Sequence, residues 1–237
     1  MPLSAILFDK DGTLIHFDAT WGPAMAQAMR AMTAGDADML ARLAAANHFD
    51  MAAQSFARSA AFISGSSETY GAAWALALGR ADQDAVKREM DDHLADAVMD
   101  HLSPVGAPAE VLAALKADGL RLGLATNDSE RGARRQLEAL GLTHFFEFIA
   151  GYDSGHGSKP LPGMIHAFCA RTGIAPAQIA LVGDSLHDLD CARAAGAVSI
   201  AVLTGLATRA DLAPHADHVL EDISGLPALA RRLREAA

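Results

Sequence analysis

The chain has 237 residues, of which 51% are hydrophobic and 20% charged, and its formal net charge is −10. That composition excludes a disordered chain, and the acidic balance argues against nucleic acid as a partner, since phosphate-backbone binding needs a basic surface. The length suits one domain, or one domain with a sizeable insertion, and no stretch has the length of a membrane span.

The first predicted element is the apolar run Ala5-Ile6-Leu7-Phe8, which reads as a strand buried on both faces in a parallel sheet. It runs into Asp9-Lys10-Asp11-Gly12-Thr13-Leu14. In open α/β sheets, ligands bind outside the carboxyl ends of the strands. Two carboxylates two residues apart are costly unless a cation lies between them or one holds a proton. The spacing therefore points to a hard metal ion, to an acid and nucleophile pair, or to both. An ordinary Asp-x-Asp-Gly turn is the competing reading, and it loses ground as further pieces appear downstream. Neighbouring strand side chains point to opposite faces, so Lys10 is expected to face away from Asp9, toward an acid on a neighbouring helix or on an inserted segment. The N-terminus lacks the basic region of a signal peptide, and Cys169 and Cys191 show no metal or redox spacing. Both observations lead to the expectation of a reduced, cytoplasmic protein.

From about 20 to 100 the periodicity is helical, with no convincing strand. Trp21, Met25, Ala28, Met29 and Met32 share one helical face, and further helices are expected over 36–46, 50–60, 68–78 and 82–99. Ser64, Gly65, Ser66 and Ser67 interrupt them, with Ser67 the expected N-cap of the next helix. From about 102 the pattern alternates. A helix over 107–117 leads to a strand over 120–125, one over 130–140 to 146–150, one over 162–172 to 179–182, and one over 188–195 to 198–203. Gly119, Gly141, Gly173 and Gly196 fall near the helix ends, where left-handed residues belong. Alternation with short links means a parallel sheet covered by helices on both faces. The expected fold is α/β, a doubly wound parallel sheet with an inserted all-α domain. Residues 1–18 and 101–237 would form the discontinuous core and 19–100 the insertion.

Three more motifs fall at predicted strand ends. Thr126-Asn127 offers a hydroxyl and a backbone amide that could bind a phosphate oxygen next to the positive end of a helix, or that could simply cap that helix. Lys159 lies in Gly157-Ser158-Lys159-Pro160-Leu161-Pro162, a loop that would hold it in place to neutralise both a carboxylate and a phosphate. The glycine spacing before it is wrong for a Walker-type loop, and Pro160 stands where Ser or Thr should open a helix. Asp184 and Asp188, in Gly183-Asp184-Ser185-Leu186-His187-Asp188, are spaced to lie on one side of a helix start, near a metal or favoured by the helix dipole.

In this order and at these separations, the four motifs resemble the haloacid dehalogenase-like superfamily of hydrolases, in particular its phosphoglycolate phosphatase-like and β-phosphoglucomutase-like subgroup. The resemblance covers the whole chain and implies a Rossmann-like core with an α-helical cap. It implies that Asp9 attacks phosphorus to form an aspartyl-phosphate and that Asp11 acts as general acid and then base. Mg²⁺ would be held by the Asp9 side chain, the Asp11 carbonyl and Asp184, with Asp188 either a further ligand or an outer partner. Thr126 and the Asn127 amide would bind the phosphoryl group, and Lys159 would offset its charge. Lys10 departs from the apolar residue more common at that position. Ser64, Gly65, Ser66 and Ser67 are the candidate cap loop for substrate choice. The expected activity is Mg²⁺-dependent hydrolysis of a small phosphorylated metabolite, with 2-phosphoglycolate leading. The alternatives are a sugar phosphomutase of the β-phosphoglucomutase type and, outside enzymes, a phospho-accepting receiver-like signalling module. In such a module the phosphorylated aspartate comes later in the chain. The oligomeric state is not legible.

Overall fold

The computed structural model describes residues 2–63 and 67–235, with backbone alone over 67–69. Ser64, Gly65, Ser66 and the side chain of Ser67, expected to form the cap loop, lie outside the described residues. The chain forms two compact units, Met1–His16 with Pro104–Ala237, and Phe17–Ser103. In chain order the elements are β1 (Ala5–Phe8), α1 (Phe17–Thr33), α2 (Ala37–Ala46), β2 (Phe49–Asp50), β3 (Ser55–Phe56), α3 (Ser67–Ala77), α4 (Gln83–Ala97), α5 (Pro108–Ala117), β4 (Arg121–Ala125) and α6 (Glu130–Ala139). They continue with β5 (Phe148–Ala150), α7 (Gly163–Thr172), β6 (Ile179–Gly183), α8 (Leu186–Ala195), β7 (Val198–Val202), α9 (Arg209–Leu212), β8 (His218–Leu220) and α10 (Leu226–Glu235). No helix among the described residues is long and apolar enough to cross a membrane.

The first unit is a parallel sheet of six strands in the order β5-β4-β1-β6-β7-β8. β1 lies at its centre because all four of its side chains are fully buried, a property only a strand covered on both faces can have. Ile6 and Phe8 point to the layer that contains Leu112 and Leu115 of α5, Leu137 of α6 and Leu226 and Leu229 of α10. Ala5 and Leu7 point the other way, to Met164, Ile165 and Phe168 of α7 and Cys191 and Ala192 of α8. Burying a side chain such as Ile6, Leu7 or Phe8 stabilises the fold by roughly 1.5–3 kcal/mol. The expected doubly wound parallel sheet is therefore present. Its strand order reverses at β1, between β4 and β6, and at such a switch point the strand ends splay into a crevice. β8, a half-exposed strand of three residues, adds an edge that the alternation did not foretell.

The second unit is mainly helical. The face of α1 read from the sequence is buried as expected: Trp21, Met25, Ala28, Met29 and Met32. Asp36 and Asp82 cap α2 and α4 by accepting from Met39 N and Ala85 N. The helix expected over 50–60 is absent, and a short antiparallel ribbon, β2 with β3, stands in its place. Asp50 accepts from the amides of Ala52 (2.8 Å) and Ala53 (2.9 Å), which turns the chain. His48 and Gln54 adopt left-handed φ of 51° and 49°, and the Phe49 and Phe56 rings pack 4.9 Å apart. The Gln54 carbonyl lies where a Cβ on Gly22 of α1 would be, 1.9 Å away. This local pairing overrides the helical spacing of the apolar residues.

Candidate active site

Asp9 leaves β1 with its amide donating to Val182 O at 2.8 Å, so β1 and β6 end side by side. The Lys10 carbonyl accepts from Leu14 N (2.8 Å) and Ile15 N (3.1 Å), which folds the Asp-Gly-Thr-Leu segment back on itself. Gly12 has φ 81°, and a Cβ there would stand 2.4 Å from Asp184 Cγ. On the other side, a Cβ on Gly205 would be 1.6 Å from Asp184 Oδ2. Asp184 is thus held in a slot between two glycines from the loops after β1 and β7. Thr204 Oγ1 closes the slot by donating to Gly12 O at 2.5 Å.

Lys159, only 5% exposed, donates from Nζ to Asp9 Oδ1 at 2.5 Å and to Asp188 Oδ1 at 2.6 Å. The other oxygen of Asp188 accepts from Ser185 N (3.1 Å) and Ser185 Oγ (2.6 Å) in the capping box of α8. Asp188 therefore has a use for each oxygen, one on the lysine and one on its own helix start. The Lys159 backbone is clamped by Asn127, whose side chain donates to Lys159 O (3.0 Å) and accepts from Lys159 N (2.9 Å). The Lys159–Pro160 peptide is cis. Thr126 is 1% exposed, and its Oγ1 accepts from Asp128 N at 3.1 Å, which leaves the hydroxyl proton to donate elsewhere.

Asp9, Asp184 and Asp188 each bring one carboxylate oxygen to within 4.8 Å of the others. Burial pushes the Asp9 carboxyl up to about 7; Lys159 opposes this, and Asp188 and Asp11 reinforce it. Burial pushes Asp184 well above the usual carboxylate range, with Asp9 and Asp188 adding to the effect. For Lys159, burial works against the charge, but Asp188 and Asp9 outweigh it and hold the ammonium above its ordinary value. Crowded acids with oxygen donors, Asp9 and Asp188 buried and Asp184 partly so, suit a hard divalent cation, which would relieve their repulsion.

Asp9, Lys159, Asp184 and Asp188 thus come together, and Asn127 and Thr126 lie in the adjoining loop. The Asp11 side chain is not in the carboxylate group; it faces Lys10 at 2.9 Å. Lys10 does turn from Asp9 as the strand alternation requires, and its distant acid is Asp128, at 2.8 Å, just before α6. Burial opposes the Lys10 charge, but Asp11 and Asp128 hold it above the ordinary lysine value. Sequence reasoning missed Asp128, Gln136, Thr204 and Gly205. Of these, only Asp128, two residues after Thr126, sits next to a motif that could have drawn attention to it.

The profile of haloacid dehalogenase-like hydrolases matches residues 3–196. Over 97 residues the chain is 40% identical to phosphoglycolate phosphatase of Escherichia coli (strain K12), a match that covers 41% of this chain and 38% of that protein. The Salmonella choleraesuis (strain SC-B67) phosphoglycolate phosphatase is 37% identical over the same length. The match therefore spans well under half of these curated relatives. Among solved structures, a Haemophilus somnus 129PT protein with the provisional name phosphoglycolate phosphatase aligns with TM-score 0.71 at 21% identity, covering 96% of this chain and 97% of that one. A Thermotoga maritima protein with the provisional name β-phosphoglucomutase also aligns with TM-score 0.71, at 18% identity, covering 97% and 99%. At such identities these structures speak for the fold. The profile spans most of the chain, including all four motifs, and so the chain belongs to the haloacid dehalogenase-like hydrolase family.

Proposed function

We propose that the protein is a Mg²⁺-dependent phosphomonoester hydrolase that works through an aspartyl-phosphate on Asp9, with 2-phosphoglycolate as the leading substrate. The observation that carries this reading is the Lys159 ammonium between Asp9 and Asp188 at the edge of a three-carboxylate cluster. The E. coli relative's name supports the substrate.

In this reading the Asp9 carboxylate attacks phosphorus, and the bond to the leaving oxygen breaks. Lys159 orients Asp9 and offsets the charge gathered by nucleophile and phosphoryl oxygens. Asp188 holds Lys159 in place. Thr126 Oγ and the Asn127 amide donate to the phosphoryl group. Asp11 gives a proton to the leaving oxygen, then takes one from the water that attacks the phosphoryl-enzyme, a role worth roughly 10²–10⁴ in rate. Asp9 and Asp184, with the Asp11 carbonyl, would hold Mg²⁺, which when bound draws charge from the phosphoryl oxygens. The helical unit is assigned as a cap that selects the organic part of the substrate.

The test is a panel of phosphate esters with Mg²⁺, scored by release of inorganic phosphate. 2-Phosphoglycolate should rank first by kcat/KM. Isomerisation of a sugar phosphate without phosphate release would instead mark a phosphomutase.

A further inference from the structure

Lys10 has no part in the mechanism above, yet it is among the largest fully buried side chains, at 1% exposure. Its ammonium meets both oxygens of Asp11, at 2.9 and 3.2 Å, together with Asp128 Oδ2 at 2.8 Å and Gln136 Oε1. The far end of this group is itself anchored. Asp128 accepts from Ser129 N at 2.6 Å and from Gln136 Nε2 at 3.1 Å, and its own amide donates to Thr126 Oγ1 at 3.1 Å. Burying an ammonium is expensive, and a well-packed apolar residue would generally serve stability as well or better. A lysine here therefore calls for a role besides packing. What it does geometrically is join the Asp11 carboxylate, 18% exposed and on a turn, to the start of α6 and to the loop that carries Thr126.

We propose that Lys10 is a positioning residue that fixes the Asp11 carboxylate for proton transfer and takes its own position from Asp128 and Gln136. This rests on the reading of Asp11 as the general acid. Asp128 balances the Lys10 charge, so Asp11 can carry the proton it donates on one oxygen while the other still accepts from Lys10. A carboxyl group held in this way loses the rotamer freedom that would otherwise spread it over unproductive orientations.

The test uses two esters, glycerol 2-phosphate, whose alkoxide leaving group needs a proton, and 4-nitrophenyl phosphate, whose leaving group departs as an anion. The readout is the ratio of kcat/KM for the alkyl ester to that for the aryl ester. The fraction of folded enzyme cancels in this ratio, so it survives partial unfolding. Asp11→Asn should lower the ratio by about a hundredfold. Lys10→Met should lower it by about tenfold, and the double variant should match Asp11→Asn alone, since coupled residues are not additive. Lys10→Gln, which keeps a donor, should move the ratio in the same direction and serves if Lys10→Met does not fold. An unchanged ratio in the Lys10 variants, with Asp11→Asn lowering it, overturns the proposal and leaves the acid role of Asp11 intact. So does a double variant whose loss is the product of the two. If Asp11→Asn itself leaves the ratio unchanged, the acid role fails and the positioning role fails with it.

Discussion

Asn127 and Lys159 hold each other by two hydrogen bonds, one in each direction, between the Asn127 side chain and the Lys159 backbone. The side chain of one motif thus sets where the next motif's lysine begins. Asn127→Ala should remove both bonds and let the Lys159 loop drift. Because a misplacement of about 1 Å can cost about a hundredfold in rate, kcat should fall by about tenfold to a hundredfold, with the melting temperature lowered only slightly. Asn127→Asp can accept from Lys159 N but cannot donate to its carbonyl, and should fall between the two. Steady-state kinetics on the three proteins would check the order, and wild-type kcat in the alanine variant would show that the lysine holds its place without the clamp.

Asp9→Asn should abolish turnover, to below about a hundredth of wild type, if the residue is the covalent nucleophile. The fold should persist. Lys159 keeps Asp188 at 2.6 Å, and the buried, crowded environment already works against an ionised Asp9. Melting of the metal-free variant should match or exceed that of the metal-free parent. Retention of more than about a hundredth of the activity in the folded variant would remove Asp9 from the chemistry.

The elements and groups that could be read in the sequence share one property: their signal is local. β1 is a four-residue run with every side chain buried, and the acids that follow it mark the strand's end. β6, buried throughout, likewise runs into Asp184, and β4, buried from Leu122 onward, runs into Thr126. The features that stayed hidden depend on contacts far apart in the chain. Alternation showed that Lys10 turns from Asp9, but its partners Asp128 and Gln136 lie 118 and 126 residues away, beyond any periodicity. The ribbon at 49–56 was hidden for another reason. His48 and Gln54 take left-handed conformations without being glycine, so no glycine marks the turn. Asp50, which makes it, equally suits a helix start, and the apolar spacing imitates a helix.

Chelation should stop turnover and Mg²⁺ should restore it. Ca²⁺ should inhibit, because it takes more ligands at longer distances and would draw Asp9 into two-oxygen binding, away from attack. A readout independent of activity is also available. Mg²⁺ at a hundredfold excess over its Kd should stabilise the folded core by about 2.7 kcal/mol, which appears as a rise in Tm. Asp184→Asn should erase that rise. Turnover undiminished in chelator, or a Tm rise that survives Asp184→Asn, would place the ion elsewhere or remove it from the reaction.

Gly205 gives a sharper test of the Asp184 slot than Gly12 does. Alanine at Gly12 would meet Asp184 and would also have to adopt a left-handed φ of 81°, so a loss of function there would have two causes. Gly205 does not have that left-handed backbone, and the obstacle to a methyl group is the Asp184 carboxylate, 1.6 Å from the new Cβ. Gly205→Ala should therefore push Asp184 out of line while the sheet beneath it, with Ala201 and Val202 of β7 fully buried, stays folded. The half-saturating Mg²⁺ concentration should rise by at least about tenfold, the scale seen when a group that orients a metal ligand is removed. At saturating Mg²⁺, part of the lost kcat should return, because excess ion can draw the carboxylate back. A Gly205→Ala protein with the parent's Mg²⁺ requirement would mean that Asp184 moves without consequence, and its assignment as a ligand would have to be withdrawn.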